Sequence, residues 1–262
     1  MIKIGYQDPI WGPVFKSAIK KGLQGLELQW VEADDLSLAG SLEKGNIDLA
    51  FISPLAYARI KENVKLHPGF LHYSMEGGNY PALFFRAALR EIEEIRYPAA
   101  YSGHFYQIIS RIVCNEFLNL QAEWVEYSGM DNDIKKLLSD YPVVWTPDIK
   151  TIISDSSIEN YIDLSEIWSD HTELPFIYSV LGISDKFSNV DVLDSIGQIF
   201  LPGNQTLISI FDELFTAKLS TQLIYKFQFS AFKEIWEALE EILKFLFYYN
   251  EAEYIPELKF YK

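Results

Sequence analysis

The sequence predicts an α/β fold divided into two lobes, and three observations predict it. Through the first two-thirds of the chain, strand-length apolar runs alternate with helix-length amphipathic runs, the pattern of helices packed on a mixed, mainly parallel sheet. From Asp185 onward the runs are helix-like. Two extended segments, Met75-Glu76-Gly77-Gly78-Asn79-Tyr80-Pro81 and residues 179–184, stand where the chain could cross between lobes, the first with glycines for a bend. The expected division is a discontinuous lobe A of residues 1–85 and 185–262, with lobe B of residues 86–184 inserted through crossings near 75–86 and 179–185. A two-strand hinge of this type suits closure around a ligand.

The elements follow in order. Ile2-Lys3-Ile4-Gly5-Tyr6 alternates as a strand does. Further strands are expected at 26–32, 48–53, 70–75, 82–86, 99–102, 122–127, 142–146 and 176–183. Helices are expected at 12–21, 37–44, 54–62, 105–118, 131–140, 148–154 and 164–170. Gly45-Asn46 closes one helix with the C-terminal glycine signal. Ser53-Pro54 opens another, with serine at the N-cap and proline at the first helical position. Asp163, followed three residues later by Glu166, is a capping-box-like start. That helix runs into Thr172-Glu173-Leu174-Pro175, where proline stops it. The apolar run from Phe176 to Ile183 is of strand length. Residues 185–201, 205–219 and 230–249 read as amphipathic helices with no strand between them.

The apolar fraction of 49% and aromatic fraction of 15% are values of a folded chain. Lysine and arginine total 22 against 37 aspartates and glutamates, a net charge of −15. Such a surface repels phosphate backbones and anionic lipid, so neither nucleic acid nor membrane is an expected partner. An anionic substrate would need a local cluster of donors against that field. The one cysteine, Cys114, forms no internal disulfide and reads as core. No apolar run reaches the roughly 18 residues of a membrane span. No secretory leader pattern precedes the first strand, so a cytoplasmic location is expected.

Four loops where expected strands run into helices could carry chemistry, because ligands of open α/β sheets collect outside the strands' carboxyl ends. The first, Tyr6-Gln7-Asp8-Pro9-Ile10-Trp11, offers Tyr6, Asp8 and Trp11 as a ligand wall, or a proline-rigid loop with Asp8 as a solvated turn residue. In the second, Ser53 and Pro54 form a helix start that could also receive a carboxylate. The third is Ser102-Gly103-His104-Phe105: Ser102 could cap the next helix, Gly103 could admit a ligand to its backbone, and His104 is the best general acid or base. In the fourth, Trp145 precedes Asp148, a helix cap that a ligand hydroxyl could also meet. Tyr6, Trp11, Tyr80, Phe105, Tyr106 and Trp145 could line a cleft for a ring-shaped ligand, with Asn79 beside it, or be ordinary core. No phosphate-cradling or nucleophile-elbow motif and no zinc spacing occurs, so no cofactor or metal is expected.

Asp163, Leu164, Trp168, Thr172, Leu174, Pro175 and Phe176 form an acidic D-L-x-x-x-W helix followed by T-x-L-P-F and a strand. Gly45 to Ser53 reads G-x-x-D-x-A-x-I-S, with Ala56-Tyr57-Ala58 after it. These segments, with Ser102 before a helix and Tyr225 to Phe229 near the tail, resemble the menaquinone-biosynthesis family that includes chorismate dehydratase. The resemblance implies a two-lobed type 2 periplasmic solute-binding-protein fold. It also implies a small carboxylate-bearing ring compound bound in the inter-lobe cleft, and a carbon–oxygen lyase reaction there. Asp8 or His104 would move the proton, while Ser53, Ser102 and nearby amides would hold carboxylates. Three cleft segments depart from the family's pattern: residues 7–13 lack its asparagine, Ser102-Gly103-His104 replaces a serine–threonine start, and Thr146-Pro147-Asp148-Ile149 replaces G-D-x-A. The departures open a second reading, a non-catalytic small-molecule-binding protein with a changed pocket.

Overall fold

A computed structural model of the protein describes residues 1–7, 11–60, 62–128, 133–147, 160–231 and 233–261. The chain forms two compact units, one of Met1–Tyr73 with Ile177–Lys262, the other of Ser74–Phe176. The expected helix at 148–154 lies outside the described residues.

The first unit holds β1 (Ile2–Tyr6), α1 (Trp11–Gly22), β2 (Leu28–Glu32), α2 (Asp35–Lys44), β3 (Leu49–Ile52), α3 (Pro54–Ala58) and β4 (Val64–Ser74). The second holds β5 (Ala82–Phe85), β6 (Glu94–Pro98), α4 (Phe105–Glu116), β7 (Glu123–Tyr127), α5 (Ile134–Asp140), β8 (Val143–Thr146), β9 (Tyr161–Asp163) and α6 (Leu164–Thr172). The chain then returns through β10 (Phe176–Ser184) to α7 (Val190–Ile199), α8 (Gln205–Leu214), α9 (Ala217–Lys226), β11 (Phe227–Ser230) and α10 (Trp236–Tyr248).

The first sheet has the order β11-β4-β10-β3-β1-β2. Its β1 runs parallel to β2 and β3, and β10 is antiparallel to β3. At its centre Ala50 pairs with Gly5 on one side and Gly182 on the other. The missing side chains let α2 close onto the sheet: a Cβ on Gly5 would stand 2.6 Å from Leu38, and one on Gly182 would stand 2.9 Å from Leu42. On another part of this sheet, Phe15, Phe51, Phe70, Phe200 and Phe229 interlock at ring distances of 4.3–6.2 Å. Helix α10 packs on α3, and the tail beyond it is tied down: Leu66 donates to the Lys259 carbonyl at 2.7 Å and accepts from Tyr261 at 3.0 Å.

The second sheet has the order β7-β6-β8-β5-β9, with β6 parallel to β7 and β8, and β5 antiparallel to β8 and β9. Phe84 and Val144 pack with Ile134 and Leu137 of α5. Trp168 of α6 meets Phe176 at 6.2 Å and Phe117 at 6.0 Å.

Several expectations need correction. Residues 74–85 belong to the second unit, because β5 bonds to β8 and β9; residues 177–184 belong to the first, because β10 bonds to β3. The strand expected at 99–102 is instead Glu94–Pro98, whose Ile95 and Tyr97 point inward while its polar residues point out. The C-terminal third is not purely helical: β11 joins the sheet edge beside β4.

Candidate functional site

In the first unit β2, β1 and β3 lie side by side and parallel, so Glu32, Tyr6 and Ser53 emerge at one sheet end. Tyr6 donates its hydroxyl to Glu32 Oε2 at 3.0 Å, and Lys16 Nζ stands 5.5 Å from its ring centre. Ser53 caps α3, its Oγ accepting from the Ala56 amide at 3.1 Å, and Pro54 follows as a buried first helical residue. The donors of Ser53 are already engaged. Asp35, at the start of α2, takes its amide at 3.0 Å through Oδ1 and its hydroxyl through Oδ2. An internal carboxylate thus sits where the sequence suggests a ligand carboxylate. The sequence reading missed Asp35, which lies 18 residues from Ser53; strand order alone brings the two together.

Trp11, expected on a ligand wall, is fully buried. Its ring centre lies 4.4 Å from His72, 4.6 Å from Phe227 and 6.0 Å from Phe211. His72 shares that core, and its Nε2 has no hydrogen-bond partner among the described residues. Burial holds its pKa well below the ordinary histidine value, so the ring is neutral. Asp8 lies outside the described residues, as does Asp148 of the second unit.

In the second unit β6, β7 and β8 end in parallel. His104, not Ser102, caps α4: its Nδ1 accepts the Tyr106 amide at 3.3 Å. Burial pushes the imidazole pKa down to about 4. The ring is therefore neutral near pH 7, and because Nδ1 accepts, Nε2 carries the proton. Such a ring offers a donor at Nε2 and is not a ready base while the cap holds. Ser102 and Gly103 are exposed, and Gly103 has a left-handed φ of 70° with open space where a Cβ would stand. Beside them the sequence reading missed Glu126, which accepts from the Tyr97 hydroxyl at 3.0 Å. The Ser102 and Tyr97 hydroxyls hold its carboxyl below the usual range.

Phe105, Tyr80 and Trp145 are buried. Phe105 packs on Phe176 at 6.3 Å, and Tyr80 meets Tyr106 edge-on at 5.5 Å. Trp145 donates Nε1 to Ser110 Oγ at 2.8 Å. Their rings fill the unit's core rather than line an open wall. Asn79, at a φ of 64°, donates its amide to Asp163 Oδ2 at 2.6 Å. The other oxygen of Asp163 caps α6 through the Ser165 and Glu166 amides, at 2.9 and 3.3 Å. Ser165 Oγ receives the Gly78 amide at 2.7 Å. One buried carboxylate thus fixes both the helix start and the Gly77–Asn79 turn. At Gly77 a Cβ would fall 2.7 Å from that carboxylate, so the turn needs glycine.

Among the described residues no group of three or more histidine, cysteine, aspartate or glutamate side chains is placed to hold a metal ion. None of the described helices is long and apolar enough to cross a membrane.

A family model described as menaquinone biosynthesis matches residues 13–220. The chain belongs to that family. Among curated proteins none matches it significantly in sequence. Solved structures similar to it include protein AF1704 from Archaeoglobus fulgidus, at 13% identity and a TM-score of 0.65 over 95% of this chain and 97% of that one. The periplasmic aliphatic sulphonate-binding protein SsuA of Escherichia coli matches at 9% identity and a TM-score of 0.64, over 100% and 92% of the chains. A ligand-binding component of an ABC-type import system from Staphylococcus aureus, with zinc bound, matches at 16% identity and a TM-score of 0.61, over 98% and 93%. At these identities the likeness is one of fold, that of the periplasmic solute-binding proteins.

Proposed function

We propose that this member of the menaquinone-biosynthesis family binds a small carboxylate-bearing ring compound at its strand-exit loops and acts on it as a chorismate dehydratase-type lyase. The observation that carries this reading is the conjunction of the family match with a solute-binding-protein fold. The second unit's exit loop supports it, since an open backbone at Gly103 adjoins the neutral imidazole of His104. In the proposed reaction a proton is drawn from carbon, a carbon–carbon double bond forms, and the neighbouring carbon–oxygen bond breaks. The hydroxide that leaves is stabilised by a hydrogen bond from His104 Nε2 and departs as water with the abstracted proton. Ser102 and the amides beside Gly103 would orient the ligand. We place this chemistry in the cytoplasm.

Two observations favour a second reading, a small-molecule-binding protein that performs no reaction. The Nδ1 lone pair of His104 is committed to its helix, and Ser53 is engaged by Asp35. Incubating the pure protein with chorismate and following loss of water by mass spectrometry separates the two. The lyase reading expects a product 18 mass units lighter than chorismate, about the mass of one water. If no product forms above buffer at high protein concentration while chorismate still stabilises the fold, the binding reading replaces it.

A further inference from the structure

The first unit contains an open-mouthed cavity of about 180 Å³ that none of the strand-exit residues lines. Its walls are Phe200, Leu207, Phe211, Ile224, Phe227 and Phe229, drawn from the end of α7, α8, α9 and β11. Three of these rings, Phe211, Phe227 and Phe229, pack behind the cavity on Trp11, at 6.0, 4.6 and 5.6 Å. Leu201-Pro202-Gly203 forms an exposed rim.

Apolar walls that face water here would regain dispersion contacts and apolar burial from a ligand seated between them. An apolar cavity of roughly 150 Å³ lined by leucine, isoleucine and phenylalanine is known to stay dry and take up benzene. Phenylalanine, leucine and isoleucine likewise make up most of this lining, which opens to water at its rim and carries no lysine, arginine, histidine, aspartate or glutamate. A charged ligand would therefore be desolvated without a counter-charge. Two polar side chains reach the lining. Asn204 is committed: its Oδ1 accepts from the Thr206 and Leu207 amides and its Nδ2 donates to the Gln198 carbonyl. The half-buried Gln228 remains to meet one polar substituent.

We propose that this cavity is a binding site for a neutral monocyclic aromatic molecule carrying at most one hydroxyl or carbonyl group. It is separate in place and in charge preference from the carboxylate site proposed above, and does not rest on it.

The test uses the full chain, with fluorobenzene followed by ¹⁹F NMR, and with toluene and phenol followed by thermal melting. Fluorobenzene is expected to broaden and shift saturably, and toluene at about five times its dissociation constant to raise the melting temperature by roughly 2–4 °C. Ile224→Trp and Leu207→Trp each fill the space, so either variant that melts cooperatively should lose both responses. Benzoate, the charged isostere, should give the same response in wild type and in Ile224→Trp. An unchanged fluorobenzene signal with wild type at millimolar ligand overturns the proposal. So does a response that survives in both variants, and a benzoate response that Ile224→Trp abolishes refutes the preference for neutral ligands.

Discussion

His104 caps α4 through Nδ1, and the proposed ligand contact would use Nε2–H, so substitution can separate the two. Asparagine is among the best N-caps, so His104→Asn should keep the helix start and leave the denaturation midpoint within error. His104→Ala should cost about 1 kcal/mol, the usual loss of a side-chain cap. Both should weaken ligand binding, the asparagine variant by tenfold or more; equal affinity in His104→Asn and wild type would confine His104 to capping. The histidines also set the acid response. His104, His67 and His72 all have pKa values depressed by burial, His104 to about 4. In the unfolded chain each binds its proton near pH 6.5, so the unfolded state gains protons first as pH falls. Stability is then full above about pH 6.5 and declines toward pH 4, by about 3 kcal/mol for His104 alone. Asp163, whose pKa burial raises above 3.8, pulls the other way, chiefly at the acid end of that window. Urea midpoints at pH 7.5 and pH 5 check the sign, and a flat profile would contradict the burial of these rings. At this scale the sequence was legible for capping and poor for exposure. Ser53 and Asp163 announced helix starts by residue type, whereas Trp11, Tyr80, Phe105 and Trp145 look the same in a sequence whether they line a cleft or fill a core. All four fill cores.

Among the elements, the D-L-x-x-x-W helix does more than begin at Asp163. Its buried carboxylate also receives the Asn79 amide from a turn 84 residues earlier, while Ser165 receives Gly78. Asp163→Ala leaves those amides buried without an acceptor and should cost about 2–4 kcal/mol. A double-mutant cycle with Gly77→Ala checks the coupling: the two losses should fall short of additive, since both disrupt one turn, and strict additivity would detach the turn from α6. Strands β1, β3 and β10 were legible from their apolar pattern. Strand β6 was not, because Glu94 and Arg96 give its segment a charged, loop-like composition; only the inward Ile95 and Tyr97 carry the signal. Strand β11 follows α9 directly, with no turn residues to mark the change from one period to the other.

For the molecule as a whole, the net charge of −15 acts on both stability and recognition. Like charges repel more weakly when screened, so raising salt from about 20 to 300 mM should raise the melting temperature and speed the association of an anionic ligand, the reverse of ordinary steering. Stopped-flow association rates that fall with salt would reveal a local basic funnel that overrides the global field. The two-lobed α/β class was legible from the alternation of periods. The exact crossings were not, because β4 and β10 run unbroken past the boundaries at Tyr73 and Ile177 and leave no change of composition to read.

Whether a strand-exit site binds the proposed carboxylate-bearing ring compound is read most simply from thermal melting of the full chain against chorismate and related ring carboxylates at millimolar concentration. At least one should raise the melting temperature saturably, with a markedly smaller rise in His104→Asn. A melting temperature unmoved by every member of the panel would rule out such a site.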